Sequence, residues 1–187
     1  KIILEQGDLP HIVEPGFFRS CLDAGHKAVA AAIKRSVPVT HVATGEARVD
    51  RVAGNRRIIG LDGKVMSQRG SSSTKPEHQR YPEGLIDPIL KTVALYSGKK
   101  KLVASHYYAC HPMSYYGDGR VSADFCGLAR RRREQQDPGC VHLYFNGCGG
   151  NIGAGKYNNG SKKARVELTQ RMFQGMVECE TELTPRH

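Results

Sequence analysis

LVASHYYACHPMSYYGDGRVSADFCGLARRRREQQDPGCVHLYFNGCGGNIGAGKY, residues 102–157, decides how this chain is read. Two short apolar runs, 102–104 and 141–145, each lead into residues that packing does not require. The first leads to His106 and to a turn made by Cys110, His111 and Pro112. The second opens into a loop with five glycines between Gly147 and Gly155. One strand delivering an imidazole, beside another delivering a glycine-rich loop, is a common way for α/β proteins to build a site.

Working outward, strand and helix signals alternate. Residues 123–136 predict a helix that starts near Ser122 or Asp124, and its arginines near the end suit the helix dipole. A last helix over 164–180 carries Leu168, Met172 and Met176 at helical spacing. Upstream, residues 17–35 carry Leu22, Val29 and Ile33 on one stripe, and Pro38 ends that helix. Val39, His41 and Ala43 alternate with polar neighbours, which predicts a strand over 39–49. Asp62 and Gly63 signal a hairpin turn after residues 55–59. The stretch 68–82 is rich in Ser, Gly, Lys and Pro and reads as an exposed loop. Asp87 as N-cap, Pro88 at N1 and Gly98 beyond the end predict a helix from 87 to about 96. The expected fold is α/β, a mixed β-sheet flanked by helices, in a single domain over residues 1–187.

With 187 residues and 39% hydrophobic residues, the chain can bury a core. The opening residues Lys1, Ile2, Ile3 and Leu4 do not read as a signal peptide. An opening Lys rather than Met leaves open both a processed protein and a piece of a longer one. The formal charge of +10 is concentrated in Lys99 to Lys101, Arg130 to Arg133, and Lys162 with Lys163. That favours anionic partners, of which an anionic membrane surface is one. No specific nucleic-acid partner is expected, because neither a Cys/His finger nor an RNP-like aromatic pattern accompanies the basic runs. The six cysteines show no C-x-x-C and match no metal finger or disulfide framework.

Two local chemical readings arise from residue types alone. Gly150, Gly155 and Lys156 have the spacing of a phosphate-binding P-loop, but Tyr157 stands where a Ser or Thr should ligate magnesium. Asn158, Asn159 and Gly160 follow where a helix should begin. Cys148 on a glycine loop, with His111 or His142 as base, is a second reading, as a cysteine nucleophile.

A third rests on resemblance. The run from His106 to Gly127, followed by residues 141–157, resembles the neutral/alkaline non-lysosomal ceramidase family, in particular divergent bacterial members and the central part of the catalytic domain. The matching residues are His111, Pro112, Met113 and Ser114, then Ser122, Ala123 and Asp124, and upstream Asn55 with Arg56. The resemblance implies a zinc-dependent amidase acting on an N-acyl sphingolipid or related amide, working secreted or in the periplasm. It makes His111 a zinc ligand and Arg56 a substrate contact. The family's catalytic Asp and Ser fall on Asn151 and Gly153, which carry neither acid nor hydroxyl. The His-x-His that supplies another zinc ligand is missing, and Asp118, Asp124, His106 and His142 are the local substitutes to consider. A non-catalytic homologue, serving as a binding or structural module, is therefore the alternative.

Overall fold

The computed structural model describes residues 14–186, so the reading of Lys1 to Leu4 lies outside the described residues. The chain separates into two compact units, residues 1–38 and 39–187. In the first, helix α1 spans Pro15–Ile33. Glu14 caps it by accepting from the Gly16 and Phe17 amides, and Pro15 occupies its first turn, where a missing N–H costs nothing.

The second unit is built on a five-stranded mixed sheet. Its strands are β1 (His41–Arg48), β5 (Ile89–Ser97), β6 (Lys100–Tyr108), β7 (Val141–Asn146) and β9 (Thr184–Arg186), in the order β7-β6-β5-β1-β9. Only β6 and β7 run parallel; the other neighbours are antiparallel. A parallel pair requires a crossover, and helix α3 (Asp124–Gln136) supplies it. Helix α4 (Lys162–Thr181) packs beside α3 and against β1 and β5. The core lies between these helices and the sheet: Leu90 and Tyr108 from the strands meet Phe125, Leu168, Met172 and Met176. Burying each such side chain fully is worth about 1.5–3 kcal/mol. Gly45 of β1 lets α4 come this close, since a Cβ there would lie 2.2 Å from the Cys179 carbonyl oxygen.

The helix expected over 87–96 is strand β5. Asp87 Oδ1 does accept from the Ile89 amide at 3.0 Å, but this is an Asx turn leading into a strand. Leu90, Thr92 and Ala94 are buried in alternation, and Gly98, at φ 55°, makes the tight turn into β6. The Asp62 and Gly63 turn joins β3 (Arg57–Ile59) to β4 (Val65–Gln68), as expected. The loop that follows is not simply exposed. It contains the short helix α2 (Pro76–Arg80) and buries Arg69, Ser73 and His78. Two further short strands, β2 (Gly54–Asn55) and β8 (Ile152–Gly153), pair antiparallel with each other.

Candidate functional site

β6 stops at Tyr108, and the chain then turns alongside β8. The His111 amide donates to the Ile152 carbonyl at 3.0 Å, and His111 bridges Gly153 in parallel register. On the other side of β8, the Arg56 amide donates to the Asn151 carbonyl at 2.7 Å. The Arg56 side chain lies over Gly153, whose ideal Cβ would sit 3.8 Å from Arg56 Cγ. All four positions singled out by the resemblance, Arg56, His111, Asn151 and Gly153, therefore come together across one small ladder.

The His111 ring has a defined orientation. Its Nδ1 lies 2.6 Å from the Gly149 carbonyl oxygen. A carbonyl can only accept, so Nδ1 carries the proton, and in the neutral tautomer the lone pair lies at Nε2. This is how a ligating or proton-accepting histidine is held, with the opposite nitrogen fixed by a backbone oxygen.

The turn after His111 is anchored from several sides. The Asp124 carboxylate accepts from the Ser114 amide (3.1 Å) and hydroxyl (2.5 Å), the Tyr115 amide (3.0 Å) and the Phe125 amide (2.8 Å). Asp124 does so from a left-handed backbone, φ 55°, at the start of α3. The Ser114 carbonyl accepts from Asn158 Nδ2 (3.2 Å) and Arg165 Nε (3.1 Å). Arg120 and Arg165 bond the Asp118 carboxylate and hold its pKa down to about 2.

Arg69 is the anchor that the sequence reading missed. It is 2% exposed, and its guanidinium donates to the carbonyls of Asn55, His78, Tyr81 and Pro82 at 2.7–2.9 Å. Its amide also donates to the Arg56 carbonyl at 2.7 Å. A guanidinium with four bonds to backbone carbonyls thus fixes the segment that presents Asn55 and Arg56. Gly155 completes the packing, since a Cβ there would lie 2.0 Å from the Gly70 carbonyl oxygen.

The proposed local substitutes for missing ligands do not gather at His111. Asp118 is held by arginines and Asp124 by the turn. His106 and His142 are both buried, on the helix-covered face of the sheet, and bond each other. Asp137 Oδ2 accepts from His142 Nε2 at 3.4 Å, His142 Nδ1 from His106 Nε2 at 3.0 Å, and His106 Nδ1 from the Thr92 hydroxyl at 2.8 Å. This direction satisfies both rings in their neutral form. Burial pushes His106 down to about 4 and lowers His142 as well. Glu180 stands 3.7 Å and 3.9 Å from the two rings. Burial alone would raise its pKa, but bonds from Arg133 and Lys101 outweigh that and keep it low.

His106, His142 and Glu180, or Asp137, Cys140 and His142, lie close enough to hold a metal ion. The carboxylates in these groups already face Lys101 and Arg133. Among the described residues, no such three-membered group includes His111.

The P-loop reading does not survive the geometry. Gly150 to Lys156 runs through strand β8, and α4 begins only at Lys162. Lys156 Nζ donates to the Gln79 and Tyr81 carbonyls instead of pointing into a phosphate cradle. For the cysteine reading, Cys148 is exposed, and His142, one of its two candidate bases, is buried against His106.

No family model and no curated protein matches the chain. Among solved structures, it is similar to a ceramidase complexed with C2, with a TM-score of 0.56 and 15% identity. It is also similar to the neutral ceramidase from Pseudomonas aeruginosa, with a TM-score of 0.53 and 19% identity. In both comparisons the match covers 76% of this chain and 22% of the other. At these identities the likeness establishes architecture: the chain has the α/β fold of a part, 22% of the length, of the neutral ceramidases.

Proposed function

We propose that this chain carries part of the active site of a metal-dependent amide hydrolase whose substrate is an N-acyl sphingoid lipid or a related amide. One observation carries the reading. On a ceramidase-like fold, His111 is held through Nδ1 by the Gly149 carbonyl, so that Nε2 is left to ligate or to accept a proton. Arg56, across Gly153, offers a guanidinium to a polarised carbonyl or a carboxylate product. A zinc ion in such a site would polarise the amide carbonyl and activate the attacking oxygen. His111 fits zinc as one ligand, but the donor set around it is incomplete among the described residues.

Within this reading, His111 provides a fixed imidazole, Arg56 orients the substrate, and Asp124 with Arg69 keeps the two segments in register. The basic surface suits an anionic membrane on which such a lipid would be met, and a secreted or periplasmic location would agree with the resemblance. No described helix is long and apolar enough to cross a membrane. A second reading, a non-catalytic homologue, is favoured by Asn151 and Gly153, which supply neither acid nor hydroxyl at the positions where the resemblance puts the catalytic pair.

The test is release of fatty acid from a short-chain N-acyl sphingosine by the full chain, with zinc and with chelator. Chelator-sensitive hydrolysis lost in His111→Ala and Arg56→Ala supports the hydrolase. A folded protein with no zinc-dependent turnover supports the non-catalytic homologue.

A further inference from the structure

A cavity of about 420 Å³ lies at the start of α4, and its walls concentrate positive charge. Arg51, Lys156, Lys163 and Arg171 line it, and Glu167 is the one carboxylate in the lining. Glu167 is already paired with Arg171, at 2.9 Å. Tyr157 forms an aromatic floor, with the Arg51 guanidinium 6.0 Å and the Lys156 ammonium 5.5 Å from its ring centre. Lys156 Nζ is committed to the Gln79 and Tyr81 carbonyls and Arg171 to Glu167, which leaves the Arg51 and Lys163 side chains as the cations to meet an anion there.

Two costs fall at the same place. Helix α4 opens with Lys162 and Lys163 and has no acid in its first turn, which puts like charge on the positive end of a 20-residue helix. Arg51 holds a left-handed backbone, φ 59°, that a non-glycine residue adopts only at a cost. That conformation is fixed by another cation of the cavity, since Arg171 Nη1 donates to the Arg51 carbonyl at 2.9 Å. A tetrahedral oxyanion would offset the charge crowding and the helix-end repulsion together, and would use the strained Arg51 as a donor.

The geometry points to a binding site for a phosphate group in this cavity, with Arg51 and Lys163 as the principal donors and Tyr157 beneath. It stands apart from the hydrolase reading, because neither His111 nor Arg56 lines the cavity. The phosphate could belong to a soluble phosphomonoester or to the headgroup of an anionic lipid.

Titration of the full chain with inorganic phosphate, by calorimetry and thermal unfolding at constant ionic strength, tests it. One saturable site is expected, with the melting temperature rising as phosphate is added. Affinity should fall at least tenfold in Arg51→Gly and in Lys163→Gln. Glycine accepts φ 59° without strain, so Arg51→Gly should fold at least as well as the parent, which separates lost binding from lost structure. Phenyl phosphate competing for the site, without retention on phosphatidic acid vesicles, would assign a soluble ligand. Retention on those vesicles, abolished by Arg51→Gly, would assign a headgroup. Stabilisation equalled by chloride at matched ionic strength, or affinity unchanged in both variants, overturns the site.

Discussion

Replacing Asp124 with alanine should destabilise the protein more than a typical substitution. The carboxylate satisfies three amide N–H groups and one hydroxyl, and both Asp124 and Ser114 are buried. Each buried donor left unpaired costs about 1–3 kcal/mol, although water and relaxation recover part of this, and the Ser114 hydroxyl can rotate to another acceptor. Alanine must also keep φ 55° without the local hydrogen bonds that make this conformation tolerable for aspartate, adding about 1 kcal/mol. The net loss should be about 4 kcal/mol, a large fraction of the 5–15 kcal/mol stability typical of a domain. Asp124→Asn keeps Oδ1 for Ser114 and Phe125 but turns an NH₂ toward the Tyr115 amide, so about 2 kcal/mol is expected. Equilibrium urea unfolding, with the slope unchanged, measures both. A loss under about 1 kcal/mol for Asp124→Ala would refute the argument that this carboxylate holds the His111 turn.

Other perturbations have similarly direct outcomes. Arg69→Met removes donors from four carbonyls and should cost about 3 kcal/mol, with faster amide exchange over 55–57; unchanged exchange there would contradict its anchoring role. Gly45→Ala forces a methyl to 2.2 Å from the Cys179 oxygen and should cost about 3 kcal/mol, read by thermal unfolding; a neutral effect would mean α4 packs differently. Acid should destabilise the protein through the buried histidines. His106 binds its proton more weakly folded, at about 4, than unfolded, at 6.5. Its share of stability is therefore intact above 6.5 and is lost as pH falls from 6.5 toward 4, by up to about 3 kcal/mol. Lys101 and Arg133 oppose the new charge, whereas Glu180 and Asp137 soften it. His106→Gln should flatten the stability profile between pH 6.5 and pH 4, and an unaltered profile would reject this origin.

What was legible in the sequence follows a physical division. Alternating patterns gave the α/β class, because α3, α4, β6 and β7 each bury a face with its own period. β5 was hidden because Asp87 and Pro88 start a helix and an Asx turn with the same residues, and because buried Thr92 broke the apolar alternation. Arg69 was hidden because a guanidinium inside a Ser- and Gly-rich stretch reads as solvated; its acceptors are backbone carbonyls, which leave no trace in side-chain pattern. Likewise, the register that sets His106 beside Tyr144 and Ala104 beside His142 joins strands far apart in sequence. The motif around His111 was readable, but the carbonyl that orients its ring belongs to Gly149, on a turn 38 residues away.

The most direct test of the account is the state of the His111 ring, read by ¹⁵N NMR of the imidazoles during zinc titration. The expected result is a proton held at Nδ1, with zinc perturbing Nε2 and the effect absent in His111→Ala. Protonation at Nε2, or zinc shifting only His106 and His142, would contradict the assignment of His111 as the ligand of the site.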